Sequence, residues 1–291
     1  MHYTNDLNLP QPIADAIIND SYDPGKSDIT VTTLISPPQK VAIEKAEREN
    51  IVEDVSDGIY ALLGKTVHEI LEKANISGVT EERLYAYFKG WCVGGAYDRL
   101  VLTPEQTLQD YKVCSVWEYI LGTKKEREEQ LNCLAHLIRC NYMEKEWPVK
   151  LEVVYIFRDW QKSKAKYDKN YPPKQVHVHQ VPMWTGPQAS DFISSRVIKH
   201  QEEQNAPGTH PCTDEERWKD PTKWAVMKPG AKKAIKLHEN YEEAVDHVNR
   251  DASLEYYLQE RPSIPRRCED YCNAAPFCPQ YQSEIRKEAA E

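Results

Sequence analysis

The sequence predicts an α/β fold in which helices flank a central mixed sheet, and three observations support this prediction. Segments with helical periodicity alternate with short apolar or alternating runs typical of strands. The chain has 291 residues, enough to bury a sizeable core, and 40% of them are hydrophobic. No apolar run approaches the roughly 18 residues that a membrane span needs, and the first residues lack the pattern of a signal peptide. We therefore expect a folded, cytoplasmic protein with no membrane partner.

The elements follow one another in a definite order. A polar arm covers residues 1 to about 27 and surrounds a short predicted helix. Helical periodicity is found at residues 13–18, 41–49, 81–88, 124–143 and 241–248 and around His68. Strands are predicted at residues 29–35, 91–97, 108–113, 153–157 and 176–181. One face of the helix at 124–143 is apolar and is predicted to be buried through Leu131, Leu134, Leu137 and Ile138.

Two neighbouring strands carry carboxylates and a lysine. Successive side chains of a strand point to opposite faces, so Asp110 and Lys112 share one face while Tyr111 faces the other way. Asp98 follows an apolar stretch, and the turn predicted at residues 103–105 makes a hairpin that brings Asp98 beside Asp110. Paired carboxylates suit a hard cation, and a lysine can position water or stabilise charge on a phosphate. The pattern therefore predicts a metal-dependent hydrolytic site.

A histidine precedes these strands on a predicted helix. Apolar residues at helical spacing place His68 near one edge of a buried stripe formed by Leu62, Leu63, Val67, Ile70 and Leu71. A histidine in such a place is more often a core or surface residue than a ligand. An isolated Asp-x-Lys is likewise more often a surface ion pair than a site. The combination of His68 and the Asp110-x-Lys112 pattern with Asp98 favours a functional site.

Together these residues resemble the RecB-like branch of the PD-(D/E)XK nucleases. That family has a helix with Gly-x-x-x-His, an Asp after an apolar strand, Asp/Glu-x-Lys on the next strand, and then a helix with a Gln. The matching residues here are Gly64, His68, Asp98, Asp110, Lys112 and Gln130. The family often has a Tyr four residues after the Gln, where this chain has Leu134. The resemblance covers residues 29–137, which is under half of the chain.

The resemblance implies a metal-dependent deoxyribonuclease, an exonuclease that uses Mg²⁺ or Mn²⁺ and acts on DNA in recombination, repair or phage replication. It implies a recombination or replication protein as a further partner. The implied metal ligands are His68, Asp98, Asp110 and the backbone carbonyl of Tyr111. The implied catalytic residues are Asp98, Asp110, Lys112 and Gln130. The alternative is a non-catalytic nucleic-acid or protein-binding module that keeps the nuclease fold.

Three cysteines are crowded into eleven residues near the C-terminus, in a segment rich in proline: Cys268, Cys272 and Cys278. This spacing favours a shared ion or cluster, and Cys212, in another polar loop with a proline, is the best candidate for a fourth ligand. Four thiolates suit zinc or an iron-sulfur cluster. The remaining cysteines fall in apolar patterns and are predicted to be core residues: Cys92, Cys114, Cys133 and Cys140.

The C-terminal triplet is similar to that of RecB-like nucleases of the CRISPR-associated and AddB types, which carry a 4Fe-4S cluster. In those families the distant cysteine precedes the nuclease core, whereas this chain has no cysteine before Cys92. The resemblance implies a 4Fe-4S cluster, with Zn²⁺ as the alternative, that fastens the C-terminal tail to the domain. A redox or electron-transfer role for the cysteines is a third hypothesis.

Three segments are predicted along the chain. Residues 1–205 form the nuclease core with its N-terminal arm, residues 206–250 an accessory hairpin-helix module, and residues 251–291 the cysteine-cluster segment. The accessory module resembles those of phage-type nucleases, and its Trp218 and Trp224 either stack on unpaired bases or form the core of the hairpin.

The formal net charge of -9 argues against a broadly basic surface, so DNA binding requires local patches. Two groups of lysines qualify, although each can equally be a solvated face. They are Lys162, Lys164, Lys166, Lys169 and Lys174, and then Lys228, Lys232, Lys233 and Lys236.

Overall fold

A computed structural model describes residues 2–20, 23–74, 78–80, 82–142, 148–250 and 255–288. The chain divides into two units, Met1–His210 and Pro211–Glu291. Residues 211–250 of the predicted accessory module and the whole predicted cysteine segment fall in the second unit, whereas residues 206–210 fall in the first.

Ten strands are described in the first unit: β1 (His2–Thr4), β2 (Ile29–Thr30), β3 (Val52–Asp54), β4 (Val79–Thr80), β5 (Arg83–Phe88), β6 (Trp91–Ala96), β7 (Arg99–Val101), β8 (Thr107–Cys114), β9 (Lys150–Phe157) and β10 (Val176–Val181). Its helices are α1 (Gln11–Ile18), α2 (Val31–Leu34), α3 (Pro38–Ala46), α4 (Ile59–Ala74), α5 (Trp117–Ile120), α6 (Lys125–Asn141), α7 (Lys164–Tyr167) and α8 (Gly186–Asn205).

The main sheet has the strand order β10-β9-β8-β7-β4. Strands β8 and β9 are parallel, and the other neighbours are antiparallel, so the sheet is mixed as the sequence predicts. Because β8 is the middle strand, its backbone is hydrogen-bonded on both sides, and side chains on it are held in fixed positions. A smaller mixed sheet, β2-β6-β5, completes an α/β architecture.

Helix α6 packs against the strands through the face predicted from its periodicity. Leu131, Leu134, Leu137 and Ile138 are all buried. The contact with β6 depends on Gly95, because a Cβ atom at that position would lie 2.6 Å from Leu134 Cδ2. A larger residue there would push α6 away from the sheet.

Two predictions of local structure are wrong in this unit. The helix predicted at residues 81–88 is strand β5 over its described part, and residue 81 lies outside the described residues. Leu84 and Phe88 are buried while Tyr87 is exposed, which is a period-two pattern with the aromatic residues that strands favour. The strand predicted at 29–35 is cut short by α2, because the Thr30 hydroxyl accepts a hydrogen bond from the Thr33 N–H and caps a helix.

Helix α4 is less buried than its apolar pattern predicts. None of its residues, all of which the structure describes, is fully buried, and Leu63 and Ile70 are exposed. His68 is half-buried beside β8 and does not border a buried stripe. The pattern indicated the helix correctly, but it did not indicate how much of the helix the sheet covers.

The second unit is built on an antiparallel sheet of β11 (Lys223–Met227), β12 (Lys236–His238) and β13 (Tyr257–Arg261), in the order β12-β11-β13. Its helices are α9 (Tyr241–Asn249), α10 (Arg266–Asp270) and α11 (Pro279–Glu288). The predicted hairpin and the helix after it are both present. Trp224 is half-buried and packs edge-on against the exposed Tyr241.

The two predicted lysine groups lie on exposed segments, and the first includes the short helix α7 where a loop was predicted. No helix in the described part of the chain is long and apolar enough to cross a bilayer.

Candidate functional site

Strand β8 holds Asp110 and Lys112 against each other on one face. The Lys112 Nζ donates to both carboxylate oxygens of Asp110, at 2.8 Å to Oδ1 and 2.6 Å to Oδ2. Asp110 is only 3% exposed, so its charge is largely removed from water and depends on this cation. The alternation of side chains along the strand predicts this pairing.

Asp98 lies between β6 and β7 and reaches the backbone of β8. Its Oδ2 accepts a hydrogen bond from the Tyr111 N–H at 2.7 Å. The β7–β8 hairpin that brings them together pairs Arg99 with Gln109, across the turn that the sequence predicts. The two acidic residues therefore lie on adjoining parts of one hairpin.

His68 approaches the same point from helix α4. Its Nε2 donates to the Tyr111 carbonyl oxygen at 2.7 Å, and its Nδ1 lies 3.5 Å from Asp98 Oδ1. Since a carbonyl can only accept, Nε2 carries a proton in this arrangement. The structure thus joins His68 and Asp98 to the Tyr111 backbone, next to Asp110 on the same strand.

The charged groups of the site shift one another's pKa values. Burial raises the pKa of Asp110, the charge of Lys112 opposes this, and the charge of Asp98 raises it further. Burial also acts to raise the pKa of Asp98, but its hydrogen bond with His68 and the charge of Lys112 bring the pKa below its ordinary value. The hydrogen bond to Asp98 raises the pKa of His68. The charge of Asp98 thus adds to the effect of burial on Asp110, as expected for two carboxylates in one site.

Arg127 is a residue of this site that the sequence did not reveal. It lies on α6, donates from Nε to Glu118 Oε1 at 3.1 Å, and its charge also acts on Asp110. Gln130 is half-buried one turn further along α6, and side chains three residues apart share a helix face. The polar sequence at the start of α6 does not predict that Arg127 belongs to the site, because its position beside Asp110 depends on how the helix packs on the sheet.

The oxygen atoms of this site are of the type that magnesium and manganese ions bind. Mg²⁺ takes oxygen ligands and is usually held by one or two carboxylates together with waters and substrate phosphates, so it does not need a closed cage of side chains. Asp98, Asp110 and the Tyr111 carbonyl supply such oxygens. Within the described ranges, no three His, Cys, Asp or Glu side chains are placed so that they could hold a metal ion, and this applies to His68, Asp98 and Asp110 as well as to the predicted cysteines.

The second unit places the four predicted cysteines close enough for three of them to act electrostatically on Cys212. Gln280 fixes the Cys212 backbone by two hydrogen bonds, accepting from its N–H at 3.0 Å and donating to its carbonyl at 2.9 Å. Burial, followed by the charges of Glu216 and of the other three cysteines, raises the pKa of the Cys212 thiol to about 12. These three are Cys278, Cys268 and Cys272.

A buried arginine lies beside these thiols. Arg217 is 3% exposed and forms a bidentate ion pair with Glu284. The hydrogen bond to Glu284, and a further one to Cys268, raise the pKa of Arg217. Its Nε is buried and has no hydrogen-bond partner among the described residues. A donor of this kind fits thiolate or sulfide ligands, so the surroundings of the cysteines suit an anionic metal-thiolate centre.

Three of the four remaining cysteines are core residues as predicted, and one is not. Cys92, Cys114 and Cys133 are buried, and burial raises the pKa of the Cys114 thiol to about 11. The prediction for Cys140 is wrong, because this residue is exposed in the last turns of α6. A helical period does not indicate where the neighbouring elements stop covering the helix.

Comparison with known proteins gives little further information. No family model matches the chain, and no curated protein matches it. Among solved structures the chain is similar to SSO0001, with 16% identity and a TM-score of 0.43, over 68% of this chain and 86% of SSO0001. A likeness at this level establishes neither a shared fold nor a function.

Proposed function

We propose that the first unit is a metal-dependent DNA nuclease with a PD-(D/E)XK core of the RecB-like type. The observation that supports this most strongly is the arrangement of two carboxylates, one lysine and one backbone carbonyl at a single point of the β7–β8 hairpin. A binding module has no need of a buried acid-lysine pair beside a second acid. We infer an exonuclease of recombination, repair or phage replication, with DNA as its partner and a recombination or replication protein as a second one.

The metal site of this proposal consists of Asp98, Asp110, His68 and the Tyr111 carbonyl. Bound there, Mg²⁺ or Mn²⁺ would supply Lewis-acid stabilisation of the scissile phosphate and lower the pKa of a bound water. Hydrolysis forms a bond between the water oxygen and phosphorus and breaks the bond from phosphorus to a sugar oxygen, which takes up a proton.

The protein groups have separate tasks in this reaction. Lys112 orients the attacking water or stabilises the negative charge that develops on the phosphate, as a fixed cation does in a partly buried site. Asp110 keeps the Lys112 amine in place through its two short contacts. The Asp98 contact with the Tyr111 N–H fixes the strand on which all of these groups depend. Arg127 on α6 acts on Asp110 through its charge, and Gln130 follows one turn later on the same helix.

The second unit is proposed to hold a 4Fe-4S cluster through Cys212, Cys268, Cys272 and Cys278, with Zn²⁺ as the alternative metal. The role we infer is structural, because such a centre joins α10, the segment before α11 and the loop of Cys212. The buried Arg217 supports an anionic centre of either kind. An absorbance band near roughly 400 nm in anaerobically purified protein indicates the cluster, and zinc gives none.

The test is cleavage of end-labelled DNA with Mg²⁺ or Mn²⁺ by the parent chain and by Asp110→Ala and Lys112→Met. We expect each substitution to lower the rate by roughly a thousandfold, because it removes metal binding or transition-state charge stabilisation. Asp191→Ala, at an exposed position of α8, is the matched control and keeps the parent rate. Equal cleavage by the parent and Asp110→Ala contradicts the site, and no cleavage by the folded parent favours the non-catalytic alternative.

A further inference from the structure

A cleft of about 660 Å³ opens beside the candidate active site in the first unit. It lies between the end of β8, the short helix α5 and the start of α6. Its lining includes Cys114, Trp117, Leu121, Lys124, Arg127 and Arg158. A volume of this size is within the range of pockets that take small ligands or single nucleotides.

The cleft is continuous with the catalytic strand. Cys114 is two residues beyond Lys112 on β8, and its carbonyl accepts a hydrogen bond from the Arg158 N–H at 3.0 Å. Arg127 belongs to both places, because it lines the cleft and its charge acts on Asp110. A chain that leaves the metal site along this direction therefore enters the cleft.

The charge of the lining is positive in a chain whose formal net charge is -9. Lys124, Arg127 and Arg158 face one acidic residue, Glu118. Glu118 is bonded to Arg127 at 3.1 Å and lies 3.6 Å from the Lys124 amine, and the Arg158 guanidinium lies 4.0 Å from the centre of the Tyr60 ring. Three cations against one carboxylate favour a polyanionic ligand.

The cleft also exposes apolar rings and chains at helix α5. Trp117 is 59% exposed and Leu121 is 80% exposed. An exposed tryptophan beside a row of cations is the arrangement with which proteins bind unpaired nucleotides, since the ring stacks on a base while the cations contact phosphates. Trp218 and Trp224, the candidates from the sequence, instead pack against Tyr271 and Tyr241.

We propose that this cleft binds a single-stranded segment of DNA adjoining the scissile phosphate, with one base stacked on Trp117 and phosphates held by Arg158 and Lys124. The inference rests on the proposed nuclease function and names the class of its substrate. A duplex leaves no base face free for Trp117, because its bases already stack on one another. The preferred substrate is therefore a strand whose bases are unpaired next to the cut.

Binding is measured without turnover, in Ca²⁺, by fluorescence anisotropy of labelled oligo-dT and of a duplex of equal length. We expect Trp117→Ala to weaken binding of the single strand by roughly tenfold and Trp117→Phe to retain most of it. Tyr87→Ala, at a 75% exposed tyrosine of β5 away from the cleft, is the control and binds as the parent does. Arg158→Gln is expected to reduce the slope of log affinity against log salt by about 0.7.

An abasic oligonucleotide gives a second test that needs no protein variant. One position along the strand is expected to lose affinity for the parent when its base is removed, and the same removal should have no further effect on Trp117→Ala. Additive losses, unchanged binding by Trp117→Ala, or duplex bound as tightly as single strand would each overturn the proposal. If the cleft binds as expected while the parent cleaves no DNA, the nuclease function fails and the binding site stands.

Discussion

The acid-lysine site and the cysteine cluster are stabilised in different ways. Asp98, Asp110 and Lys112 are placed by one β-hairpin, whose register is fixed by backbone hydrogen bonds on both sides of β8. The cysteines come from a loop, from α10 and from short segments around α11, and side-chain contacts such as those of Gln280 hold them. The first site is thus preorganised by the sheet, whereas we propose that the second depends on a bound metal.

This difference implies that metal loss affects the two sites unequally. A site on a central strand keeps its shape without the ion, because the sheet provides the folding free energy. A site assembled from short segments gains much of its folding free energy from the metal itself. Each of the following predictions tests one side of this contrast.

The largest effect is expected from Cys278→Ser. A complete thiolate site binds its metal with a free energy on the order of 10 kcal/mol, and loss of one of its four ligands removes part of this, so the variant should lose its iron or zinc and residues 211–291 should become sensitive to protease. Metal analysis and limited proteolysis measure both. Cys140→Ser is the control, since Cys140 is exposed and belongs to neither site, and it should keep the metal. A Cys278→Ser protein with full metal content and parent resistance to protease would contradict the cluster.

The same contrast explains what the sequence could and could not predict. The positions of Asp98, Asp110 and Lys112 follow from alternation along a strand and from a short turn, both of which are local and visible in the residues. Arg127 and Trp117 depend on how α5 and α6 pack on the sheet, which no local period contains. Ile70 and Cys140 are exposed although the helical pattern predicts that they are buried. A helical pattern identifies an apolar face but does not identify the elements that cover it.

A smaller effect, on stability, is expected from Lys112→Met. It leaves the Asp110 carboxylate buried without its cation, which we expect to cost about 3 kcal/mol in the free energy of unfolding. Urea unfolding in EDTA measures this loss. The double variant Asp110→Asn/Lys112→Met should recover most of the stability while remaining inactive, because no charge is then left unpaired. A double variant as unstable as Lys112→Met would show that lost packing, not the buried charge, causes the effect.

The cysteine unit has a comparable buried charge in Arg217. Glu284→Gln removes the carboxylate that pairs with this arginine, and since Glu284 is itself about one-third exposed we expect a loss of about 2 kcal/mol. The effect should be larger in metal-free protein, because an anionic centre beside Cys268 partly replaces the lost carboxylate. Glu260→Gln, on the exposed part of β13, provides the control in thermal unfolding. Equal losses of stability with and without metal would show that Arg217 does not interact with the metal centre.

The smallest effect is expected from Gln280→Ala, which removes the two hydrogen bonds that hold the Cys212 backbone. Two neutral hydrogen bonds in a half-buried place contribute about 1 to 2 kcal/mol together, so the variant should fold and bind metal but release it faster to a chelator. Gln280→Glu keeps the acceptor for the Cys212 N–H and loses the donor, and it should show an intermediate release rate. Gln282→Ala, which loses a single bond to Ala275, should release metal at the parent rate. If Gln280→Ala also releases metal at the parent rate, the metal alone positions Cys212. The cysteine site would then depend on its ligand even more than proposed, in contrast to the site on the sheet.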